Sequence, residues 1–163
     1  MNRISKEKYY LNIAREVSRR SPCSRRKFGS IIVKDDVIIS TGYNGSGRGV
    51  INCGTEMSCL KDKYNEEHYT SYNYCSAIHS EVNAIINASR HGTSIVGGTL
   101  YLSPEFDEHG DRPCQFCRRV VINSGLNDCY YIDSDGEVCH ESIDDWIELE
   151  NKWMEKYGDK RIS

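Results

Sequence analysis

The 163-residue sequence lacks any apolar run long enough to cross a membrane. It also lacks the apolar core of a signal peptide, since residues 1–10 carry Arg3, Lys6 and Lys8 instead. We therefore expect a cytoplasmic protein. Hydrophobic residues make up 38% of the chain and charged residues 28%, a balance typical of a globular protein with a sizeable core.

A strong excess of positive charge is also missing. The formal net charge is −3 and the pI is near 6.0, which argues against a protein that coats nucleic acid. One segment departs from this average, with five basic residues in nine positions: Arg19, Arg20, Arg25, Arg26 and Lys27. This basic cluster is either a solvated turn or a phosphate-binding site.

Repeats, low-complexity tracts and linkers rich in proline or serine are absent from the sequence, so we predict a single domain over residues 1–163. Only residues 51–77 have no clear period, and they are polar and rich in tyrosine. A loop of this length in a compact domain requires an anchor, such as a metal, or a function.

Hydrophobic periodicity predicts the regular elements. Apolar residues at helical spacing indicate helices over 5–19, 78–90 and 114–123, and a last helix capped by Ser142. Strands are predicted at 31–33, 37–39, 99–102 and 129–132. The first two form a hairpin, and the later strands alternate with helices and should pair in parallel. We predict an α/β fold with a mixed sheet covered by helices.

Cysteine, by contrast, is abundant, with eight residues at positions 23, 53, 59, 75, 114, 117, 129 and 139. Without a secretory signal we expect these thiols to be reduced. The cysteines are then either metal ligands or small buried hydrophobic residues.

Two short segments, each at the start of a predicted helix, combine into a metal site. They are His79-Ser80-Glu81 and Pro113-Cys114-Gln115-Phe116-Cys117. Two thiolates three residues apart in a first helical turn can hold one ion, and His79 makes a third ligand. Three protein ligands leave a fourth tetrahedral position open for water, as catalytic zinc requires. Glu81, two residues beyond His79, is placed to carry a proton to and from that water.

Either segment alone carries little information, because C-x-x-C is often structural or redox-active and H-x-E is common. Together, in this order, they are the signature of zinc nucleobase deaminases. Over most of residues 5–132 the chain resembles the cytidine/deoxycytidylate deaminase family, and within it the deoxycytidylate (dCMP) deaminases. The resemblance includes residues 23–29 and 38–46, Asn52-Cys53, residues 79–85, Thr99-Leu100-Tyr101 and Pro113-Cys114. Its Gly42-Tyr43-Asn44-Gly45 segment distinguishes dCMP deaminases from tRNA and guanine deaminases.

This resemblance implies a cytidine-deaminase-like three-layer α/β/α sandwich with a mixed five-stranded sheet. It implies a homo-oligomer that hydrolyses dCMP to dUMP and ammonia with zinc at His79, Cys114 and Cys117, and Glu81 as proton carrier. Asn44 is expected in the nucleotide pocket, and the loop after it belongs to a nucleotide effector site in regulated members. Further substrate contacts are expected at Tyr43, Gly45, Ser80, Ser103, Arg25 and Arg26, the two arginines binding phosphate.

The sequence departs from the family at three places. Ser80 stands where alanine is usual, and Gly47 stands where proline is common, which puts the effector site in doubt. Residues 103–112 form an acidic insert before Pro113 where the family has a very short link. The insert is either a surface loop or a sign of a changed substrate or partner.

A second, structural zinc is also expected from the resemblance, because Cys23 and Cys53 match positions that hold one in some dCMP deaminases. Cys75, with either His68 or Cys59, would complete four ligands and anchor the long middle segment. The alternative is a family remnant within an irregular cysteine-rich loop.

Three other functions compete with the nucleotide deaminase. One is a nucleic-acid base deaminase of the tRNA adenosine type, which the arginine cluster favours and the net charge disfavours. Another is a deaminase of a different free base or nucleoside. A non-catalytic zinc protein is the third, but it would not need Glu81.

Overall fold

The computed structural model describes residues 3–65 and 74–158. Five α-helices lie within these ranges: α1 (Lys6–Ser18), α2 (Leu60–Lys63), α3 (Ser80–Arg90), α4 (Gln115–Ser124) and α5 (Ile143–Tyr157). A one-turn 3₁₀ helix spans Asp107–His109. Seven strands accompany them: β1 (Phe28–Lys34), β2 (Val37–Tyr43), β3 (Gly45–Ser46), β4 (Ala77–Ile78), β5 (Thr99–Pro104), β6 (Asp128–Ile132) and β7 (Val138–Ser142). None of the described helices is long and apolar enough to span a membrane.

Local chemistry explains where these elements begin and end. The Ser5 hydroxyl accepts from the Lys8 amide at 3.2 Å and so caps α1, and Ser142 caps α5 through Asp144 in the same way. Asp35 and Asp36, at φ of 51° and 62°, form the left-handed turn that closes the β1–β2 hairpin. The four long helices and the hairpin predicted from the sequence are therefore present.

The main sheet has the strand order β2-β1-β5-β6-β7. Strand β1 runs antiparallel to β2 and β5, β5 runs parallel to β6, and β6 runs antiparallel to β7. This confirms the mixed five-stranded sheet and the parallel pairing in the second half.

Helices cover both faces of the sheet. Ile31 and Ile32 are adjacent on β1, both fully buried, and point into different clusters, as the two-residue period of a strand requires. The Ile31 cluster packs under α1 and includes Leu11 and Ala14. The Ile32 cluster packs under α3, α4 and α5 and includes Val121 and Trp146. The three-layer α/β/α sandwich is confirmed.

Four predicted boundaries were wrong by two residues or more. The hairpin strands are longer than predicted, because β1 begins at Phe28 instead of residue 31 and β2 ends at Tyr43 instead of residue 39. The helix predicted from residue 78 begins at Ser80, because Ala77 and Ile78 pair as β4 with β3. The strand predicted to end at residue 102 continues to Pro104, which pairs with Phe28. Strand β7 was not predicted from the sequence. In the structure it pairs with β6, and His140 Nε2 of β7 lies 2.8 Å from Asp128 Oδ1 of β6.

The first turn of α3 lies unusually close to β2, and Gly42 permits this. A Cβ atom at residue 42 would lie 2.3 Å from the Ala84 amide nitrogen and 2.4 Å from the Ser80 carbonyl oxygen. The Ser40 hydroxyl adds a hydrogen bond to the Ala84 carbonyl at 2.6 Å. Strand β2 therefore determines where the start of α3 lies.

Candidate active site

The beginnings of α3 and α4 lie side by side and bring three ligand atoms together. His79 is the N-cap residue of α3 and its ring makes no capping hydrogen bond, while Cys114 is the N-cap residue of α4. His79 Nδ1 lies 3.5 Å from Cys114 Sγ and 3.3 Å from Cys117 Sγ. All three donor atoms lie within 4.8 Å of one another, the arrangement expected from the sequence.

One imidazole nitrogen and two thiol sulfurs are the donors of a three-ligand zinc site. Cys117 is fully buried, and the neighbouring Cys114 thiol, then burial, raise the pKa of its own thiol well above the usual range. A divalent cation among these atoms would reverse that effect by stabilising both thiolates. The three side chains therefore fit a bound zinc ion.

Glu81 follows the metal-binding group in the first turn of α3 and is only 4% exposed. Burial raises the pKa of its carboxyl group, and the neighbouring His79 opposes that shift. The Ser80 hydroxyl donates to Glu81 Oε2 at 3.0 Å. A buried carboxyl beside a metal site, with a raised pKa, has the properties of a group that accepts and returns a proton.

A cavity of about 110 Å³ opens onto this group. Of the substrate contacts expected from the sequence, Asn44, Ser80, Arg25 and Arg26 line it, as do His79, Glu81 and Cys114. The other three expected contacts do not line it. They are Tyr43, which is 38% exposed; Gly45, which packs on Pro22; and Ser103, which is fully buried in β5.

Asn44 is both a wall of the cavity and a brace for the segment before β1. Its Nδ2 donates to the Arg26 carbonyl and its Oδ1 accepts from the Phe28 amide, each at 2.8 Å. Both ends of the amide thus hold the backbone that carries Arg26. The expected contact of Asn44 with a nucleotide stays a prediction.

Sequence reasoning missed three charged residues that line the cavity: Lys61, Asp111 and Arg112. Lys61 belongs to α2, a single helical turn with no periodic signal. The position of Arg112 directly before Pro113 was a usable signal, because any residue there must lie close to the metal ligands. With Arg25 and Arg26, these residues give the cavity more positive than negative side chains, although the whole chain is acidic.

A sequence profile of the cytidine and deoxycytidylate deaminase zinc-binding region matches residues 4–133. The chain belongs to the cytidine and deoxycytidylate deaminase family.

Relatives within the family include the deoxycytidylate deaminase of Mycobacterium phage D29, 32% identical over 80% of this chain and 97% of that protein. The deoxycytidylate deaminase of Enterobacteria phage T4 is also 32% identical, over 76% of each chain. A solved dCMP deaminase from cyanophage S-TIM5, in complex with dCMP and dUMP, is 26% identical with a TM-score of 0.56. The similarity covers 77% of this chain and 80% of that one.

The insert that separates this family member from the usual pattern is packed against the body at several points. Arg15 of α1 pairs with Asp107, and Lys27 lies 3.6 Å from Glu105. Gly110 lies so close to the Asp133 backbone that a Cβ atom would be 2.1 Å from its carbonyl oxygen. The insert is therefore packed against the body of the protein, and its last two residues, Asp111 and Arg112, line the cavity.

The cysteines considered for a second metal in this deaminase lie near one another. Burial, then the neighbouring thiols of Cys23, Cys59 and Cys75, raise the pKa of the Cys53 thiol. Within the described residues, 3–65 and 74–158, however, no three of these sulfur atoms lie within 4.8 Å of one another. His68 falls outside the described residues, so the structure gives no position for that expected ligand.

Proposed function

We propose that this protein is a zinc-dependent deaminase that converts dCMP and water to dUMP and ammonia. The observation that carries the proposal is the His79–Cys114–Cys117 group with buried Glu81 beside it at the wall of one cavity. The family membership supports the reaction type, and the dCMP and dUMP complex of the cyanophage relative supports the substrate.

His79, Cys114 and Cys117 would hold the zinc, as the donor set requires. When bound, zinc lowers the pKa of a coordinated water toward neutrality. Glu81 takes one proton from the attacking water and delivers it to ring nitrogen N3. It then carries the second proton, from the hydroxyl formed on C4, to the departing amine. The C4–oxygen bond forms and the C4–nitrogen bond breaks, so the products are dUMP and ammonia.

The charge of the cavity favours a nucleotide over a nucleoside. Four basic side chains line the cavity: Arg25, Arg26, Lys61 and Arg112. The acidic side chains that line it are Asp111 and the proton carrier Glu81. Arginine forms paired, charge-assisted hydrogen bonds with phosphate oxygens. One such contact is worth roughly 1.5–3 kcal/mol, which corresponds to a tenfold or greater preference.

Ammonia release from a panel of substrates tests the proposed function. The panel contains dCMP, CMP, deoxycytidine, cytosine and an adenosine-containing RNA hairpin, each offered to zinc-loaded protein. We expect dCMP to give the highest kcat/KM, and Glu81→Gln protein serves as the inactive control. A preference for the RNA hairpin would support the nucleic-acid base deaminase instead.

The arginines of the basic cluster provide a matched pair for the phosphate contact. Arg26 lines the cavity, whereas Arg20 belongs to the same cluster but is exposed at the end of α1 and does not line it. We expect Arg26→Ala to raise KM for dCMP about tenfold or more, and Arg20→Ala to leave it unchanged. Equal effects of the two changes would contradict a phosphate site at Arg26.

We also propose a second, structural zinc held by Cys23, Cys53 and Cys75 with His68 or Cys59. Its support is the resemblance and the electrostatic proximity of the described thiols to Cys53. Metal analysis should give two zinc ions per chain, and one in Cys53→Ser protein, which should melt at a lower temperature. Cys139→Ser is the control, since Cys139 lies on β7. One zinc per chain in the unmodified protein would contradict the second site.

The homo-oligomer and the nucleotide effector stay predictions. Exposed apolar side chains on the last turns of α5, namely Trp153, Met154 and Tyr157, support self-association. In the loop after Asn44, Arg48 donates to Asn87 of α3 at 2.7 Å, which links a ligand there to the helix that carries Glu81. Light scattering tests the first prediction. Deamination rates with and without dCTP or dTTP test the second.

A further inference from the structure

Two buried serines form a line of hydrogen bonds behind Glu81. Ser30 lies on β1 and Ser80 is the first residue of α3, and both are fully buried. The two hydroxyl oxygens are 2.8 Å apart, and Ser80 Oγ lies 3.0 Å from Glu81 Oε2. The line therefore runs from the sheet to the carboxylate that the reaction uses.

The direction of the line follows from the number of protons. A hydroxyl group carries one proton, so Ser80, which donates to the Glu81 carboxylate, must accept from Ser30. Ser30 cannot move easily, because β1 pairs on one side with Gly42 of β2 and on the other with Leu102 of β5. One carboxylate oxygen of Glu81 is thus tied to the middle of the sheet.

We infer that Ser80, itself held by Ser30, is a positioning residue for Glu81. It keeps Oε2 as a hydrogen-bond acceptor, so that the proton is carried by the other carboxylate oxygen in each turnover. The inference rests on the proposed role of Glu81 as proton carrier. It also gives a function to the serine at a position where the family usually has alanine, a residue that cannot make this bond.

The first test compares two fully buried serines. Ser80→Ala removes the bond to Glu81, whereas Ser18→Ala removes a bond to the Arg15 carbonyl within α1, on the other face of the sheet. In zinc-loaded protein, Ser80→Ala should lower kcat about 10- to 100-fold with KM changed less than about twofold. This is the range that corresponds to one hydrogen bond to a charged group. Ser18→Ala should leave kcat within about twofold.

A double variant separates positioning from stability. Ser80→Ala leaves the Ser30 hydroxyl buried without its partner and should lower the melting temperature, whereas Ser30→Ala/Ser80→Ala removes both hydroxyls and should recover part of that loss. The kcat of the double variant should nevertheless stay as low as that of Ser80→Ala. Recovery of kcat together with the melting temperature would overturn the inference.

Crystal structures of the zinc-loaded wild-type and Ser80→Ala proteins give a readout that needs no substrate. We expect the Glu81 carboxylate to change its side-chain torsion or to become disordered in the variant. An unchanged carboxylate position would overturn the inference even if dCMP is a good substrate. Failure of the wild type to release ammonia from dCMP would refute the proposed function, while the two structures still decide the positioning role.

Discussion

Replacing Glu141 with alanine tests how the outermost strand supports the cavity. Glu141 lies on β7, and its carboxylate accepts from Tyr131 at 2.9 Å, from Arg112 at 2.8 Å and from the indole nitrogen of Trp146. Burial, then the bond to Glu141, raise the pKa of the Tyr131 phenol, so it stays a donor at neutral pH. One side chain therefore joins the core under α5 to a residue that lines the cavity.

The size of the effect follows from what the substitution leaves behind. Tyr131 is 8% exposed and Trp146 is 1% exposed, so water cannot readily replace the lost acceptor. Each buried donor without a partner costs roughly 1–3 kcal/mol. In the ion pair between Arg112 and Glu141, the two side chains are 37% and 23% exposed. Because solvent screens this pair, its loss adds no more than about 1 kcal/mol to the destabilisation. We expect Glu141→Ala to lower the free energy of unfolding by about 2–7 kcal/mol.

Denaturant unfolding of zinc-loaded protein measures this loss, and initial rates on dCMP measure its effect on the cavity. We expect KM to rise by a larger factor than kcat falls. Arg112 loses its hydrogen bond to Glu141, whereas Glu81 keeps its hydrogen bond from Ser80. Glu148→Ala is the control, since its pair with Lys152 is exposed on α5 and should contribute little to stability. A loss below about 1 kcal/mol for Glu141→Ala would refute the reasoning.

Four further substitutions test the site and its support. Glu81→Gln should keep zinc and fold but lose roughly 10²–10⁴-fold in kcat, and near-normal turnover would exclude the proton role. Cys114→Ala and Cys117→Ala should each reduce zinc content and activity together, and full metal content in both would contradict the ligand assignment. Gly42→Ala places a Cβ atom 2.3 Å from the Ala84 amide, so it should lower both the melting temperature and zinc occupancy, measured by metal analysis. Unchanged occupancy would show that the start of α3 does not depend on this close approach.

Each half of the metal-binding group could be predicted from the sequence because its geometry is local, and the meeting of the two halves was predicted from their combined signature. A C-x-x-C pair in a first helical turn brings two sulfurs together wherever the helix lies, and His79 and Glu81 share a second helix start. The hairpin was equally local, since the Asp35-Asp36 turn needs two residues with positive φ. Strand β7 carries no such signal, because its burial alternates only between exposed and part-buried positions.

Only part of the cavity wall could be predicted, because the rest depends on long-range packing. The position of Arg112 next to Pro113 indicates that it lies near the metal ligands, but its side chain is held by Glu141. The neighbouring Gly110 packs on the Asp133 backbone. Lys61 is placed by a one-turn helix inside a segment without periodicity. Asn44 was expected to contact substrate from its motif, whereas its amide also braces the chain before β1, a role that only the fold reveals.

The ratio of kcat/KM for dCMP to that for deoxycytidine, measured on zinc-loaded wild-type protein, tests the central claim most directly. Both substrates carry the same base and sugar, so the ratio reports only the phosphate. The positive residues around the cavity predict a ratio of about ten or more in favour of dCMP. Equal values would contradict the nucleotide assignment, and release of ammonia from neither substrate would contradict cytosine deamination itself.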